Sequence, residues 1–157
     1  MDKEVLEVLR AEVYAQLAEI NRIYQRILER ASAQNPMEVE SLAYQLHNLD
    51  CAYEDLMRIV ADHFENRIAE GGRWPRELFL RMSVTIPGVR PALICRETLL
   101  LLDSLRAFRH FFRHAYTYEL DSRKVRVVLE DAQLCALNSK RIWKDSSGSW
   151  KGSRWVL

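Results

Sequence analysis

The chain is 157 residues long, 48% hydrophobic and 29% charged, with 5 Gly and 4 Pro. That length gives one domain with a core that needs no disulfide or metal staple, and so little Gly and Pro excludes a many-turned all-β protein or a low-complexity chain. The formal charge of +1 hides two opposed halves, 7 Lys/Arg against 14 Asp/Glu in residues 1–70 and 16 against 8 in residues 71–157, which points to a polyanion-facing surface or to charge matching inside one bundle.

From Asp2 to about Ala33, Leu6, Leu9, Val13, Leu17, Ile20, Tyr24 and Ile27 recur in steps of three and four, the stripe of an amphipathic helix. Asn35-Pro36 then offers a helix cap followed by a Pro at the first helical position. A second helix is expected from there to about Glu70, carrying Leu42, Leu46, Leu49, Tyr53, Leu56, Ile59 and Phe64, with Gly71-Gly72 as its stop. Residues 73–90 hold Trp74-Pro75, a short helical stretch through Leu78, Phe79 and Met82, and Ile86-Pro87-Gly88-Val89-Arg90, which runs into Pro91. Such a segment is an ordered connector, too apolar for a flexible linker. A third long helix is expected from near Pro91 to His114 or Tyr116, and a fourth from an Asp121-Ser122 cap to about Trp143. The periodicity therefore predicts an all-α bundle of four main helices with a short helical connector, spanning residues 1–144. Residues 145–157, rich in Ser, Gly and Trp, show no periodicity and are expected to be disordered or foreign to the domain.

Apolar runs such as Leu99–Leu102 are too short to span a bilayer, and Met1-Asp2-Lys3-Glu4 opens no signal-peptide stretch. Cys51, Cys95 and Cys135 are odd in number and widely spaced, as expected of buried reduced thiols in a cytoplasmic protein. No Walker A loop, G-x-G-x-x-G or H-E-x-x-H is present. The residues three before His47, His63, His110 and His114 are Tyr44, Val60, Ala107 and Phe111, so the Glu-x-x-His pairs of a di-iron bundle are missing. No metal site and no cofactor are expected.

The chemistry concentrates between Ser104 and Tyr118, where three Arg and two His occur without an acid. On a wheel of about 100° per residue centred on Arg109, Leu101, Leu105, Phe108 and Phe112 fall between about −100° and −40° and are expected to face the core. Arg109, Arg113, Arg106, His110 and His114 fall at about 0°, 40°, 60°, 100° and 140°, a single cationic face. A solvated basic face is the commonest meaning of such a pattern, but like charges three and four apart repel. Arginine presents a planar fork suited to phosphate, and histidine moves protons near neutral pH. Together they supply what RNA cleavage without a metal requires: a base for the ribose 2′-hydroxyl and cations for the crowded phosphorane.

Arg109-His-Phe-Phe-Arg-His114 resembles the R-x4-H signature of HEPN-domain ribonucleases, with polar His110 directly after the Arg. With Tyr116 it extends to R-x4-H-x-Y and resembles the HepT toxins of HEPN/MNT toxin–antitoxin pairs. Trp74-Pro-Arg-Glu-Leu78, Ile86-Pro-Gly-Val-Arg-Pro91 and Phe108 to Leu120 carry the likeness further, over roughly residues 1–143. The resemblance implies a HEPN-type homodimer that cleaves cellular RNA (tRNA or mRNA) in a cleft shared by two copies. It gives Arg109 and His114 catalytic roles with His110 as polar helper; Arg106 and Arg113 are expected to be accessory RNA contacts or plain surface charges. It also implies a nucleotidyltransferase antitoxin that silences the toxin by transferring AMP to Tyr116; Tyr118, close by, is either a second candidate acceptor or a packing residue. In an unbroken helix Arg109 and His114 diverge by about 140°, so the site must end the helix near His114 or join groups across a two-fold axis. His47 and His63 read as structural. The basic fourth helix, with Arg123, Lys124, Arg126, Lys140, Arg141 and Lys144, either extends an RNA track or lies against the acidic N-terminal helices. The rival expectation is a non-catalytic helical module that binds nucleic acid or a protein through its basic face.

Overall fold

The computed structural model describes the backbone of residues 3–64, 74–114 and 119–149, with side chains at 4–64, 76–114 and 119–138. Five helices follow in chain order: α1 (Lys3–Glu29), α2 (Pro36–Phe64), α3 (Trp74–Met82), α4 (Arg96–His114) and α5 (Ser122–Ser149). The described residues are all-helical apart from turns and one isolated bridge between Ile86 and Arg90. No helix among them is long and apolar enough to cross a membrane.

Two of the long helices, α2 and α5, start where the sequence offers a cap. At α2 the Glu38 amide donates to Asn35 Oδ1 at 3.0 Å, while the Gln34 and Asn35 amides donate to Glu38 Oε2 at 2.9 and 3.4 Å. This is a capping box, and the bonds from the Gln34 and Asn35 amides hold the Glu38 carboxyl below its ordinary pKa. At α5 the Arg123 amide donates to Asp121 Oδ1 at 2.9 Å. The end of α2 expected at Gly71-Gly72 lies outside the described residues. α5 continues to Ser149, past the expected Trp143.

α2 is the central element, packed against α1, α3, α4 and α5. Leu42, Leu46, Leu49, Tyr53, Leu56 and Met57 are almost fully buried along it, and they meet Leu9, Val13, Ile20 and Ile27 of α1 and Leu105 and Phe108 of α4 in one core. The α1–α2 seam carries polar pins as well. Tyr24 and Tyr53 share a hydroxyl–hydroxyl bond of 3.0 Å, Gln16 Nε2 donates to the Ala52 carbonyl at 2.9 Å, and His63 Nε2 stands 3.5 Å from Glu12 Oε2. Burial, helped by Tyr53 and Cys135, pushes the Tyr24 hydroxyl far above the ordinary tyrosine range.

Three expectations are corrected here. The third long helix begins at Arg96, not near Pro91, because residues 91–95 are held across the end of α3: the Leu93 and Ile94 amides donate to the Met82 carbonyl at 2.8 and 3.4 Å. Its deepest residues are Thr98, Leu102 and Leu105 at 0% exposure, whereas Leu101 and Phe112 are only partly covered. Of the three cysteines only Cys135 is buried; Cys51 is half-buried and Cys95 exposed.

The connector ahead of α4 is ordered by a turn and an arginine. Gly88 at φ 75° takes the position where a β-turn starting at Ile86 needs a positive φ, with the Val89 amide donating to the Ile86 carbonyl at 3.0 Å. Arg90 is 2% exposed, and its guanidinium donates to the carbonyls of Val84, Pro91 and Arg81 at 3.1, 3.2 and 3.0 Å. Peptide oxygens thus solvate a buried cation, and the peg fixes where α4 enters the bundle.

Candidate functional site

The motif occupies the last two turns of α4, an intact helix through His114. Its cations do not share one environment. Arg109 points inward, its side chain 21% exposed, and its Nη1 donates to Asp50 Oδ2 at 3.2 Å and to Glu54 Oε2, both on α2. The expectation of one cationic face with no acid to offset it is corrected: α2 brings Asp50 and Glu54 to Arg109, and α4 itself brings Asp103 to Arg106. The wheel gives the reason that Arg109 turns inward: Thr98, Leu102 and Leu105, the deepest residues of α4, lie about 20°, 20° and 40° from it. Arg109 therefore lies within the core-facing arc, toward the edge away from Phe108.

Asp50 and Glu54 were not singled out in the sequence, although their spacing carries a signal. Positions 42, 46, 50 and 54 form one line along α2, occupied by Leu42 at 3% exposure, Leu46 at 0%, Asp50 at 0% and Glu54 at 7%. Two acids that continue a buried apolar line need a cation from elsewhere. Burial pushes the Asp50 carboxyl up to about 6, against the opposing pull of Arg109. Burial lowers the Arg109 guanidinium, yet its bonds to Glu54 and Asp50 outweigh that and leave it raised. Glu54 also accepts from Arg58 Nη2 at 2.6 Å through Oε1.

His47, read from sequence as structural, belongs to this neighbourhood. One turn before Asp50, its ring lies 5.6 Å from that of Phe112, and its Nε2 is 3.8 Å from Cys51 Sγ. Burial, together with the charges of Arg109 and Arg113, lowers its pKa and favours the neutral ring. The Cys51 thiol is raised by burial. It therefore stays protonated at neutral pH and is a poor nucleophile.

The other motif residues face outward. His110 and His114 are exposed and stack edge to face, ring centroids 5.0 Å apart, and Arg113 is exposed beside them. Arg106 is half-buried and gives Nε and Nη2 to Asp103 of its own helix at 2.9 and 2.8 Å. That occupies a fork expected to serve as an accessory phosphate contact. Lys124 of α5 places Nζ 5.4 Å from the centre of the Phe111 ring and adds a cation to the outward face. Arg123 pairs with Asp121, and Arg126 reaches the Ala33 carbonyl at 3.4 Å. Tyr116 and Tyr118 lie outside the described residues. Among the described residues no group of three or more His, Cys, Asp or Glu is placed to hold a metal ion. A half-open apolar cleft of about 420 Å³ lies elsewhere, lined by Leu17, Tyr24, Leu28, Tyr53 and Leu137 among others, with no residue of α4.

An all-helical bundle with R-x4-H closing a long core helix is a HEPN-type protein. The chain belongs to the HepT-like family: the model of that family, described as "HepT-like protein", matches residues 41–144. The match runs from Ser41 in α2 through α3 and α4 into α5, leaving α1 outside. No curated protein and no solved structure matches the chain.

Proposed function

We propose that the chain is the toxin of a type VII-like HEPN/MNT toxin–antitoxin pair, an endoribonuclease that cleaves cellular RNA without a metal and acts as a homodimer. The observation that carries this reading is the division of labour on α4. Arg109 is held firmly at a half-open position, and His110 and His114 stand exposed at the C-terminal end of the same helix. The helix stays intact to His114, so one copy does not bring Arg109 and His114 to one phosphate, and a second copy supplies the missing group.

In the reaction, His114 takes the proton of a ribose 2′-hydroxyl. The 2′-oxygen bonds the phosphorus, the bond to the 5′-oxygen breaks, and that oxygen leaves with a proton from a second imidazole, His110 or His114 of the other copy. Arg109 stabilises the charge that builds on the phosphorane. Arg113 and Lys124 contribute RNA contacts, whereas Arg106 is committed to Asp103. Transfer of AMP by a nucleotidyltransferase antitoxin to Tyr116 places an anion beside these cations and repels RNA.

The ion pairs of Arg109 favour a second reading, the non-catalytic module, because they give that arginine a structural role sufficient in itself. One experiment separates the two. Purified full-length protein, shown by intact mass to carry no AMP, is incubated with labelled RNA in excess EDTA. We expect cleavage that leaves 2′,3′-cyclic phosphate ends and disappears in His114→Ala; intact RNA after incubation with the unmodified protein overturns the enzyme. Arg109→Lys keeps a cation for Asp50 and Glu54 but loses the fork, and we expect it to fold while cleaving at least tenfold more slowly.

A further inference from the structure

Asp50 and Glu54 grip Arg109 in a way that leaves half of its guanidinium uncommitted. Both carboxylates take their hydrogen bond from the same nitrogen, Nη1. Among the described residues Nη2 and Nε of Arg109 make no hydrogen bond, and the side chain remains 21% exposed. A guanidinium offers two planar edges, and the Nε–Nη2 edge matches two phosphate oxygens side by side. A purely structural ion pair would be expected to turn that edge onto one of the carboxylates, as Arg106 does in giving both Nε and Nη2 to Asp103. Here Arg109 is instead held by its far nitrogen.

We propose that Asp50 and Glu54 are positioning residues that hold Arg109 by Nη1 and so present its Nε–Nη2 edge to an RNA phosphate. This rests on the ribonuclease reading above. The clamp comes from α2, whose buried face runs from Val39 to Ala61 and includes both acids, so the edge is aimed by the core and not by a mobile surface chain. Asp50 Oδ1 is buried and has no hydrogen-bond partner, so that oxygen can hold a proton without breaking the Oδ2 contact. With that proton in place, the two carboxyls and the arginine sum to zero charge, and an incoming phosphate is not repelled. The charged or titratable groups around Asp50 are Glu54 on its own helix and Arg109 and Arg106 on α4, with Cys51 and His47 adjacent.

The test uses the full chain and four variants, Glu54→Ala, Glu54→Gln, Asp50→Ala and Asp50→Asn, each checked for helical content and melting temperature. The amide variants preserve shape and keep an oxygen that accepts from Nη1, so they fold even where an alanine variant fails. In steady-state RNA cleavage we expect kcat of the alanine variants to fall at least tenfold with KM changed less than threefold, and the amide variants to stay within threefold of wild type. Folded alanine variants with wild-type kcat and KM overturn the proposal. A second measurement is independent of activity: nitrogen-15 spectra of the arginine side chains. We expect restricted guanidinium rotation for Arg109 in wild type and its loss in the alanine variants; an Arg109 signal identical in all of them overturns the clamp. If wild type cleaves no RNA while this signal behaves as expected, the ribonuclease reading fails and the clamp stands.

Discussion

At Asp50 a carboxyl closed off from solvent faces the guanidinium of Arg109, and its pKa, near 3.8 unperturbed, is pushed up to about 6 by burial. A raised carboxyl pKa means that the folded state holds the proton more tightly than the unfolded chain. The stability it contributes is full below the ordinary carboxylate pKa and is lost as pH rises through about 6. Between roughly pH 5 and pH 7.5 this component should remove about 1–2 kcal/mol. Asp50→Asn has no such proton, so urea unfolding of wild type and variant at those two pH values should give a difference that changes by that amount. Parallel pH dependences would show that Asp50 does not titrate in this range. Arg109 itself shows what a linear reading misses. The absence of acids between Ser104 and Tyr118 was plain in the sequence, but the acids that matter stand 55 and 59 residues earlier.

At the scale of elements, the helices were legible because each carries a local signal: the Asn35-Pro36-Met37-Glu38 capping box, the Asp121 cap and the apolar stripes. The start of α4 was not, because it depends on long-range bonds. Pro91 is a good first helical residue by local rules, yet the Leu93 amide is taken by Met82 of α3 and Arg90 is pegged into three carbonyls. Arg90→Met keeps much of the volume while leaving those oxygens without their donor. It should cost about 1–3 kcal/mol, seen as a lower urea midpoint at unchanged slope. An unshifted midpoint would mean that other donors or water replace the guanidinium without loss. The candidate site was half legible for the same reason: the identities of Arg109, His110, His114 and Arg113 follow from one helix, whereas their partition into inward and outward groups required the neighbouring one.

Across the whole molecule, the opposed charges of the two halves are partly satisfied inside the bundle, since α2 acids meet an α4 arginine. What remains outward on α4 and α5, including Arg113 and Lys124, is the surplus available to a polyanion. RNA binding by His114→Ala, the variant expected not to cleave, should therefore weaken steadily as salt is raised. Arg113→Ala should reduce the slope of log affinity against log salt by roughly 0.7, the amount for one phosphate contact on a single strand. A salt-independent affinity would place binding on apolar contacts instead. Glu54 ties this outer surface to the inner pair, for it lends one oxygen to Arg109 and the other to Arg58, whose side chain is 42% exposed. The two guanidiniums compete for a single negative charge. An anion that draws Arg58 into the solvent leaves Arg109 the sole claimant, so the flank of α2 becomes a place from which the grip on the motif can be tightened or slackened at a distance.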